Sequence, residues 1–424
     1  MRIVSRLGWL FAAGALLLAG PAANAVCCPF CSAPSQTMSE QVAQADGVCL
    51  VEWVSGKAAS EQDPGQSTYE ILQVVKGSKE NVSKGDHVTL ARFRAGKKGD
   101  LFLLMGTKSG KGSGIDWGSP TEITEPAFNY VAQAPLPEVP ATKRLAYFVK
   151  FLEFPDQLVS NDAYAEFANA PYKDIAAVAS RLPREKIRTW IVRPETPQPR
   201  LGLYGMLLGL CGNDKDAQVL AEKISQKTED FRIGIDGLIS GYLLLTGPTG
   251  LNHIDEWKFK DRKVPFSETY AAMMGLRFMW QYAGGRISNE RLMQSMRILL
   301  ERPELADLVI ADLARWNDWS VQERLMGIYG KGDYNIPSIK RAIIRYMLAS
   351  TQAKPAVPAN NGAPANNAVT GTASGAQSTG GPAVGNPPRD ASYDFPERGK
   401  MYLEQLRKRD PKTVKEAERF FFVN

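Results

Sequence analysis

Apolar and polar residues follow two different periods on either side of residue 140. The first part of the chain holds runs that alternate with period two, are rich in aromatic and branched residues, and are separated by clusters of Gly, Lys, Asp and Ser. Such runs predict β-strands, here over residues 48–54, 68–75, 87–93 and 100–105, after a short helix around residues 39–44. Several short strands at this spacing predict a small barrel or sandwich.

From residue 143 onward, apolar residues recur at helical spacing. The stretch 200–240 shows this most clearly, because two apolar helices flank a more amphipathic one, with polar joints at 212–214 and 227–230. Gly202, Gly205 and Gly209 lie between apolar residues, and small residues at such positions let a neighbouring helix approach closely. Further helices are predicted over residues 144–154, 163–168, 173–181, 183–192, 267–283, 288–301, 303–316, 320–329 and 337–348.

Short helices joined in pairs by tight polar turns resemble HEAT-type α-solenoid repeats. The segment 247–262, with its Gly-Pro pair and aspartates, interrupts a strict repeat. The chain is therefore predicted to be an α+β multidomain protein: a small OB-like β-barrel domain over 26–135, then an all-α, HEAT-like domain over 141–350. The Gly- and Pro-rich stretch 106–140 is interpreted as the link between them.

The end of the chain has a different composition. Residues 351–389 are almost entirely Ala, Pro, Asn, Gly, Ser and Thr, which cannot bury a core and predict a disordered linker. Residues 390–424 predict a short helical tail, in which Met401, Leu403, Leu406 and the cluster 420–422 stand among charges. Two interpretations stay open for this tail: a helical pair that docks back on the protein, and a tethered motif that binds a partner.

Residues 1–25 predict a cleavable signal peptide. A basic start is followed by an apolar run over 7–18 and by the small-residue site Ala23-Asn24-Ala25. The run is shorter than the roughly 20 residues of a membrane-spanning helix, and no later stretch predicts one. Val26 stands where a lipoprotein signal has a small residue before its cysteine, so a soluble exported protein of the periplasm, cell surface or extracellular space is expected.

Four of the five cysteines, Cys27, Cys28, Cys31 and Cys49, lie near the predicted mature N-terminus. Oxidising conditions outside the cytoplasm make disulfides the expected state. Four cysteines allow three full pairings, and the sequence does not choose among them, although bonds from Cys27 or Cys28 to Cys49 are geometrically easier because adjacent cysteines rarely bond. Cys211 has apolar neighbours and is expected to be a buried free thiol.

The N-terminal region resembles the netrin-like OB-fold module of the tissue inhibitors of metalloproteinases. The resemblance covers about residues 27–110 and is carried by Cys28-x-x-Cys31, by the segment 44–48 and by Tyr69-Glu70-Ile71 leading to Val75-Lys76-Gly77. In the inhibitors of that family the first cysteine is the mature N-terminus and chelates the target's zinc, whereas Val26 is expected to precede Cys27 here. The resemblance therefore implies the fold and a binding rather than catalytic function.

Charge and histidine content exclude several classes of function. The net charge of +6 is spread along the chain rather than concentrated, and Arg2 and Arg6 belong to the predicted signal peptide, so nucleic-acid binding is not expected. His87 and His253 are the only histidines, neither has a metal-ligand spacing, and no Gly-x-Ser-x-Gly elbow occurs. No catalytic set, cofactor or metal site is predicted.

Other candidate motifs have simpler interpretations. Cys28-Pro-Phe-Cys31 has thioredoxin-like spacing but no strand before it, so a structural disulfide is favoured over redox catalysis. Carboxylate pairs such as Asp307 with Asp312 are interpreted as solvated faces or ordinary ion pairs. Trp280, Trp316 and Trp319 are candidates for the lining of a sugar groove. Because Trp280 and Trp316 lie within apolar helical patterns, core packing is preferred.

These observations predict an exported, non-catalytic binding or scaffold protein. Its partner is expected to be another protein or a component of the cell envelope. Two alternatives remain: a thiol-redox or metal-handling protein that works through Cys27, Cys28 and Cys31, and a netrin-like protease inhibitor. The sequence predicts neither the identity of the ligand nor the oligomeric state.

Overall fold

The computed structural model describes residues 28–31, 35–78, 82–110, 114–227, 231–353 and 394–419. An antiparallel sheet is followed by many helices, so the predicted α+β class is confirmed. The chain divides into two compact units, Met1–Asp216 and Ala217–Asn424. This division falls inside the stretch 141–350 that was predicted to be one helical domain. The predicted signal peptide, Cys27 and nearly all of the predicted linker 351–389 lie outside the described residues.

The sheet of the first unit has six strands in the described part of the chain. They are β1 Gly47–Lys57, β2 Gln66–Lys76, β3 His87–Leu90, β4 Leu101–Lys108, β5 Ile115–Trp117 and β6 Thr121–Glu122. The order is β3-β2-β1-β4-β5, with β6 also paired to β4, and every pairing is antiparallel. Within the described residues β3 and β5 remain the two ends of the path, so the sheet is open.

The first half of β1 is buried on both faces. Cys49 and Val51 belong to one apolar cluster with side chains of the neighbouring strands, and Val48 and Leu50, which point to the opposite face, are also buried. The remaining buried members of the cluster are Tyr69, Ile71, Val82, Val88, Leu90, Phe102 and Leu104. A strand covered on both sides reads as a continuous apolar run, and the sequence has one at 48–51.

The described residues of the first unit contain seven α-helices, three of which begin at a side-chain cap. They are α1 Met38–Gln44, α2 Glu125–Gln133, α3 Ala141–Phe148, α4 Gln157–Asn169, α5 Tyr172–Ala176, α6 Arg184–Val192 and α7 Gln198–Cys211, and α8 Asp214–Ser225 leads into the second unit. Thr37, Thr124 and Asp156 each accept a backbone N–H at a helix start. The stretch 106–140 is not simply a loop-rich link, since it contains β5, β6 and α2.

An N-terminal clamp, defined here as residues 28–31 and 35–39, is bonded along α4. The N–H of Cys28 donates to the carbonyl of Ala168 (3.1 Å), and the Met38 N–H donates to Asp162 Oδ1 (2.7 Å). Ser39 donates its hydroxyl to Glu166, and Asn169 Nδ2 donates to the carbonyl of Ser35 (2.9 Å). Four contacts at four levels of one helix fix the start of the described chain to the first unit.

The second unit is helical throughout its described residues. Its helices are α9 Ile235–Ile254, α10 Phe266–Tyr282, α11 Asn289–Ile298, α12 Ala306–Arg315, α13 Gln322–Ile328, α14 Pro337–Ser350, α15 Phe395–Arg409 and α16 Pro411–Arg419. The tail helices α15 and α16 pack against α14. Leu403, Leu406, Val414 and Ala417 are buried, as expected for an amphipathic pair on a surface.

The segment 247–262, expected to interrupt a strict repeat, is largely helical. Helix α9 is kinked at Gly247, whose backbone (φ 60°, ψ −138°) precedes Pro248, a residue without an N–H for the helix ladder. Arg286 Nη2 donates to the carbonyl of Leu245 at the kink (2.7 Å). After α9 the chain widens into a π turn, Asp255–Lys260. Among the described residues, no helix has both the length and the hydropathy needed to cross a bilayer.

Candidate binding cleft

The second unit contains a cleft of about 630 Å³ beside the π turn. Three segments form it: the end of α8, the π turn with the loop that follows it, and the first turn of α10. The lining residues are Ser225, Gln226, Lys227, Glu256, Trp257, Lys258, Asp261, Lys263, Val264, Pro265 and Glu268. The volume lies within the range of small-molecule and peptide sites, and π turns occur frequently at functional positions.

A buried ion triad forms the floor of the cleft. Lys258 Nζ lies 2.7 Å from Glu268 Oε2, and Arg232 holds the same carboxylate through Nη2 (2.5 Å) and Nε (2.8 Å). The side chains of Lys258 and Glu268 are only 6% and 4% exposed. Burial alone would raise the pKa of Glu268, but its bonds to Arg232 and Lys258 outweigh burial and the pKa lies below its usual value. Burial also lowers the pKa of Lys258, against the opposing effect of Glu268.

The backbone around the floor is held by further hydrogen bonds. Thr269 donates its hydroxyl to the carbonyl of Lys258 (3.0 Å). Arg302, itself buried, donates to the Thr269 hydroxyl (3.3 Å) and to the carbonyl of Val264 (3.1 Å). Arg232 also donates to the carbonyl of Lys223 at the end of α8 (2.6 Å). These bonds join all three segments of the cleft, so the floor is preorganised before any ligand arrives.

One wall of the cleft is the indole of Trp257. The ring stacks on His253 (centroids 5.2 Å apart) and lies 6.1 Å from the ring of Tyr242. The Tyr242 hydroxyl and His253 Nδ1 are 2.8 Å apart, a hydrogen bond that fixes the imidazole. Asp255, at the start of the π turn, is bonded to Arg291 (2.6 Å). Since His253 covers one face of Trp257, a ligand has only the other face to contact.

The rim of the cleft presents both signs of charge. Lys227 and Lys263 are exposed cations, while Glu256 and Asp261 are exposed carboxylates. Glu256 is paired with Lys260 (2.5 Å), and Asp261 Oδ1 accepts the Lys263 N–H (2.9 Å). Because the described rim residues carry two cations and two carboxylates, the rim suits a polar ligand that itself carries both signs rather than a polyanion.

The cysteines that were candidates for disulfides differ in their bonding. Cys28 is bonded to Cys31, with Cα atoms 5.5 Å apart, and Cys28 is buried. Cys49 is a free thiol, so the bridge from Cys28 to Cys49, one of the pairings that the sequence left open, does not form. Cys49 lies inside the sheet, opposite Leu104 of β4, and burial raises its pKa to about 12. Cys27 lies outside the described residues. Cys211 is free but only half-buried, and burial raises its pKa to about 11.

The remaining sequence candidates do not form a second site. His87 is exposed on β3, and the described residues contain no group of three His, Cys, Asp or Glu side chains arranged to hold a metal ion. Trp280 and Trp316 stack on each other (4.4 Å), and Trp319 is buried against Tyr346.

The acidic pair on α12 is not a uniformly solvated face. Asp312 is buried between Arg277 (2.6 Å) and Arg315 (2.5 Å), whereas Asp307 is only partly exposed. Burial nevertheless raises the pKa of Asp312, against the opposing effect of both guanidinium groups. This carboxylate is therefore part of the packing between helices rather than a free acid or base.

Sequence reasoning missed the residues that form the cleft. Trp257 and Lys258 lie in the segment that was interpreted only as an interruption, and Glu268 follows Lys258 by ten residues, which is no helical neighbour spacing. The available signal was the density of acids, bases and aromatics in 255–268. Comparison with known proteins finds no protein-family model, no curated protein and no solved structure that matches this chain.

Proposed function

We propose that the protein is an exported, non-catalytic binding protein of the cell envelope, and that the cleft beside the π turn is its binding site. The observation that carries the proposal is the buried triad Arg232–Glu268–Lys258 beneath a rim of both charges. A rigid floor, in which two cations share one buried carboxylate, offers shape and polar contacts to a ligand without a free reactive group. Export is supported by the signal-like residues 1–25.

Binding explains the cleft better than catalysis does. A general base or a nucleophile must reach the substrate with its reactive atom available. Lys258 and Glu268 are instead bonded to each other and almost fully buried. The only hydroxyl side chain among the described lining residues is that of Ser225, which donates to the carbonyl of Glu222 (3.3 Å). None of the described lining residues is a histidine that could activate it. The cleft therefore favours recognition.

The two units are proposed to be built for binding as well. In the sheet, β1 lies between β2 and β4, and this non-sequential order supports an OB-like, Greek-key arrangement. In the second unit, the packing of α9 with α10 and of α12 with α14 supports a HEAT-like array of helix pairs. Both architectures present extended surfaces to partners, in keeping with a binding or scaffold role.

The proposal is tested by ligand-observed NMR on the full chain, which follows proton saturation transfer for the organic probes and the ³¹P line width for phosphate. The probes are a zwitterionic tripeptide mixture, chitotriose and inorganic phosphate, each titrated against the wild type and against Lys227→Glu/Lys263→Glu. The control is Lys408→Glu/Lys412→Glu, which makes the same change of charge at exposed lysines of the tail helices. We expect at least one probe to bind the wild type and the control alike, and to bind the cleft variant about tenfold more weakly.

Three results would contradict the proposal. Binding of none of the probes removes its support, and equal binding by wild type and cleft variant places the site elsewhere. Reproducible turnover in a hydrolase or oxidoreductase screen, lost when the protein is unfolded, would show an enzyme. Export is tested separately by N-terminal sequencing of the protein recovered from outside the cytoplasm, which should begin at Val26.

A further inference from the structure

Three exposed large apolar residues of the second unit directly adjoin cleft residues along the chain. Phe231 is 68% exposed, Ile233 44% and Phe266 48%. Phe231 and Ile233 flank Arg232, whose guanidinium is bonded to Glu268 on the cleft floor. Phe266 directly follows Pro265, which lines the cleft. Each of these three residues, here called the apolar rim, thus directly adjoins in sequence a residue of the cleft floor or lining.

An exposed group of this kind is typical of an interface. Scattered single apolar residues are ordinary on protein surfaces, but a group bordered by polar residues marks a site of contact with another molecule. Phe266 stacks on Tyr270 (5.8 Å), which limits its motion and leaves its outer face available. Rigid aromatic side chains next to charged groups are the usual anchors of protein and peptide recognition.

The composition of the cleft disfavours other ligand classes. A phosphate or nucleotide site needs an excess of positive charge or a glycine-rich loop, whereas Lys227 and Lys263 are matched here by Glu256 and Asp261. No set of metal ligands occurs in the part of the chain that the structure describes.

We infer that the cleft and its apolar rim bind a short peptide segment of a partner protein, one that carries an apolar side chain beside charged groups of both signs. This inference rests on the proposed binding function. The rim cations suit carboxylates of the peptide, the rim carboxylates suit its ammonium or guanidinium groups, and the apolar rim covers its hydrophobic side chain. A cleft of about 630 Å³ admits a few residues rather than a folded domain.

The test is selection of peptides followed by measured affinities. A phage-displayed random heptapeptide library is panned on the immobilised full chain, and enriched sequences are synthesised with a fluorescent label. We expect them to share an aromatic or branched aliphatic residue beside Lys or Arg and Asp or Glu. Fluorescence anisotropy should then show about tenfold weaker binding to Ile233→Ser and to Lys227→Glu/Lys263→Glu than to the wild type.

Ile336→Ser is the matched control, because Ile336 is 42% exposed in the same unit, nearly as much as Ile233, and does not border the cleft. Its affinity should equal that of the wild type, and far-UV circular dichroism should show that all variants are folded. Equal binding by Ile233→Ser and the wild type would overturn the inference.

The outcomes separate the inference from the proposed function. If chitotriose or phosphate binds the cleft in the NMR titration while no displayed peptide is enriched, the protein is a binding protein and the peptide inference is wrong. If neither the probes nor any peptide binds, both are wrong. Peptides that bind wild type and control equally, and the cleft variants weakly, support both.

Discussion

The carboxylate of Asp162 in α4 provides the sharpest test of the first unit. It is buried, accepts the Met38 N–H (2.7 Å) and accepts the Tyr130 hydroxyl (2.6 Å). Burial raises the pKa of Asp162 from 3.8 to about 6, although both hydrogen bonds act in the opposite direction. The change Asp162→Asn keeps the shape, lets the amide oxygen accept from Met38 and the amide nitrogen donate to the oxygen of Tyr130, and removes the titration.

The expected magnitude follows from the shift in pKa. A rise of about two units, at ~1.4 kcal/mol each, corresponds to about 3 kcal/mol. Because the pKa in the folded state lies above that of the unfolded chain, the native state holds the proton more tightly. The stabilising contribution is therefore complete below about pH 4 and is lost as the pH rises through about 6. Asp162→Asn should match the wild type at low pH and exceed its stability by about 3 kcal/mol at neutral pH.

The assay is hydrogen exchange with mass spectrometry on peptides that cover α4, measured against urea concentration between about pH 4 and pH 7. A local probe is needed because the two units need not unfold together. The control Glu138→Gln alters an exposed carboxylate of the same unit and should change stability by less than about 0.5 kcal/mol. If Asp162→Asn destabilises α4 at neutral pH with an unchanged pH slope, Asp162 is ionised there and its two hydrogen bonds outweigh burial.

Two further predictions concern the second unit. In Gly275→Ala the new Cβ would lie 2.9 Å from Ile239 Cγ2 between α10 and α9, so we expect the free energy of unfolding in urea to fall by about 1–3 kcal/mol. The control Gly327→Ala has open space around its Cβ and should be neutral or slightly stabilising. Asp410 is bonded to Lys340 (2.7 Å), and although burial alone would raise its pKa, this and other bonds lower it to about 2. The attachment of the tail should therefore weaken as the pH falls from about 4 toward 2. The variant Asp410→Asn should weaken it by about 2 kcal/mol at neutral pH, measured as faster hydrogen exchange in α15 and α16. Unchanged exchange in these helices would contradict this reasoning.

Local patterns predicted those strands and helices whose position follows from the spacing of apolar residues alone. The period-two runs gave β1, β2 and β4 because side chains of a strand alternate between faces. β1 continues to Lys57, beyond its predicted end at 54, because Lys57 pairs with Gln66 of β2. Such an extension depends on the partner strand, which a local pattern does not contain.

The sequence did not predict the contacts between residues that are far apart along the chain. Whether a cysteine forms a disulfide depends on which group the fold brings near it, and the register of β1 places Cys49 opposite Leu104 inside the sheet. The pairing of Lys258 with Glu268 likewise depends on the π turn and on the return of the chain into α10. A stretch of mixed charges has the same composition whether it is solvated or folded around a buried ion pair. The candidate site was therefore found only in three dimensions.

The N-terminal clamp has a consequence for the order in which the chain completes its fold. Met38 and Asp162 are separated by 124 positions, Ser39 and Glu166 by 127, and Ser35 and Asn169 by 134. A chain that emerges N-terminus first, from a ribosome or through a translocation pore, holds one half of each contact long before the other half is present. Contacts of such separation form late, because a long loop must first close. The clamp would thus be among the last parts of the first unit to fold, and in a chain that crosses a membrane it would stay unbonded until α4 had followed it.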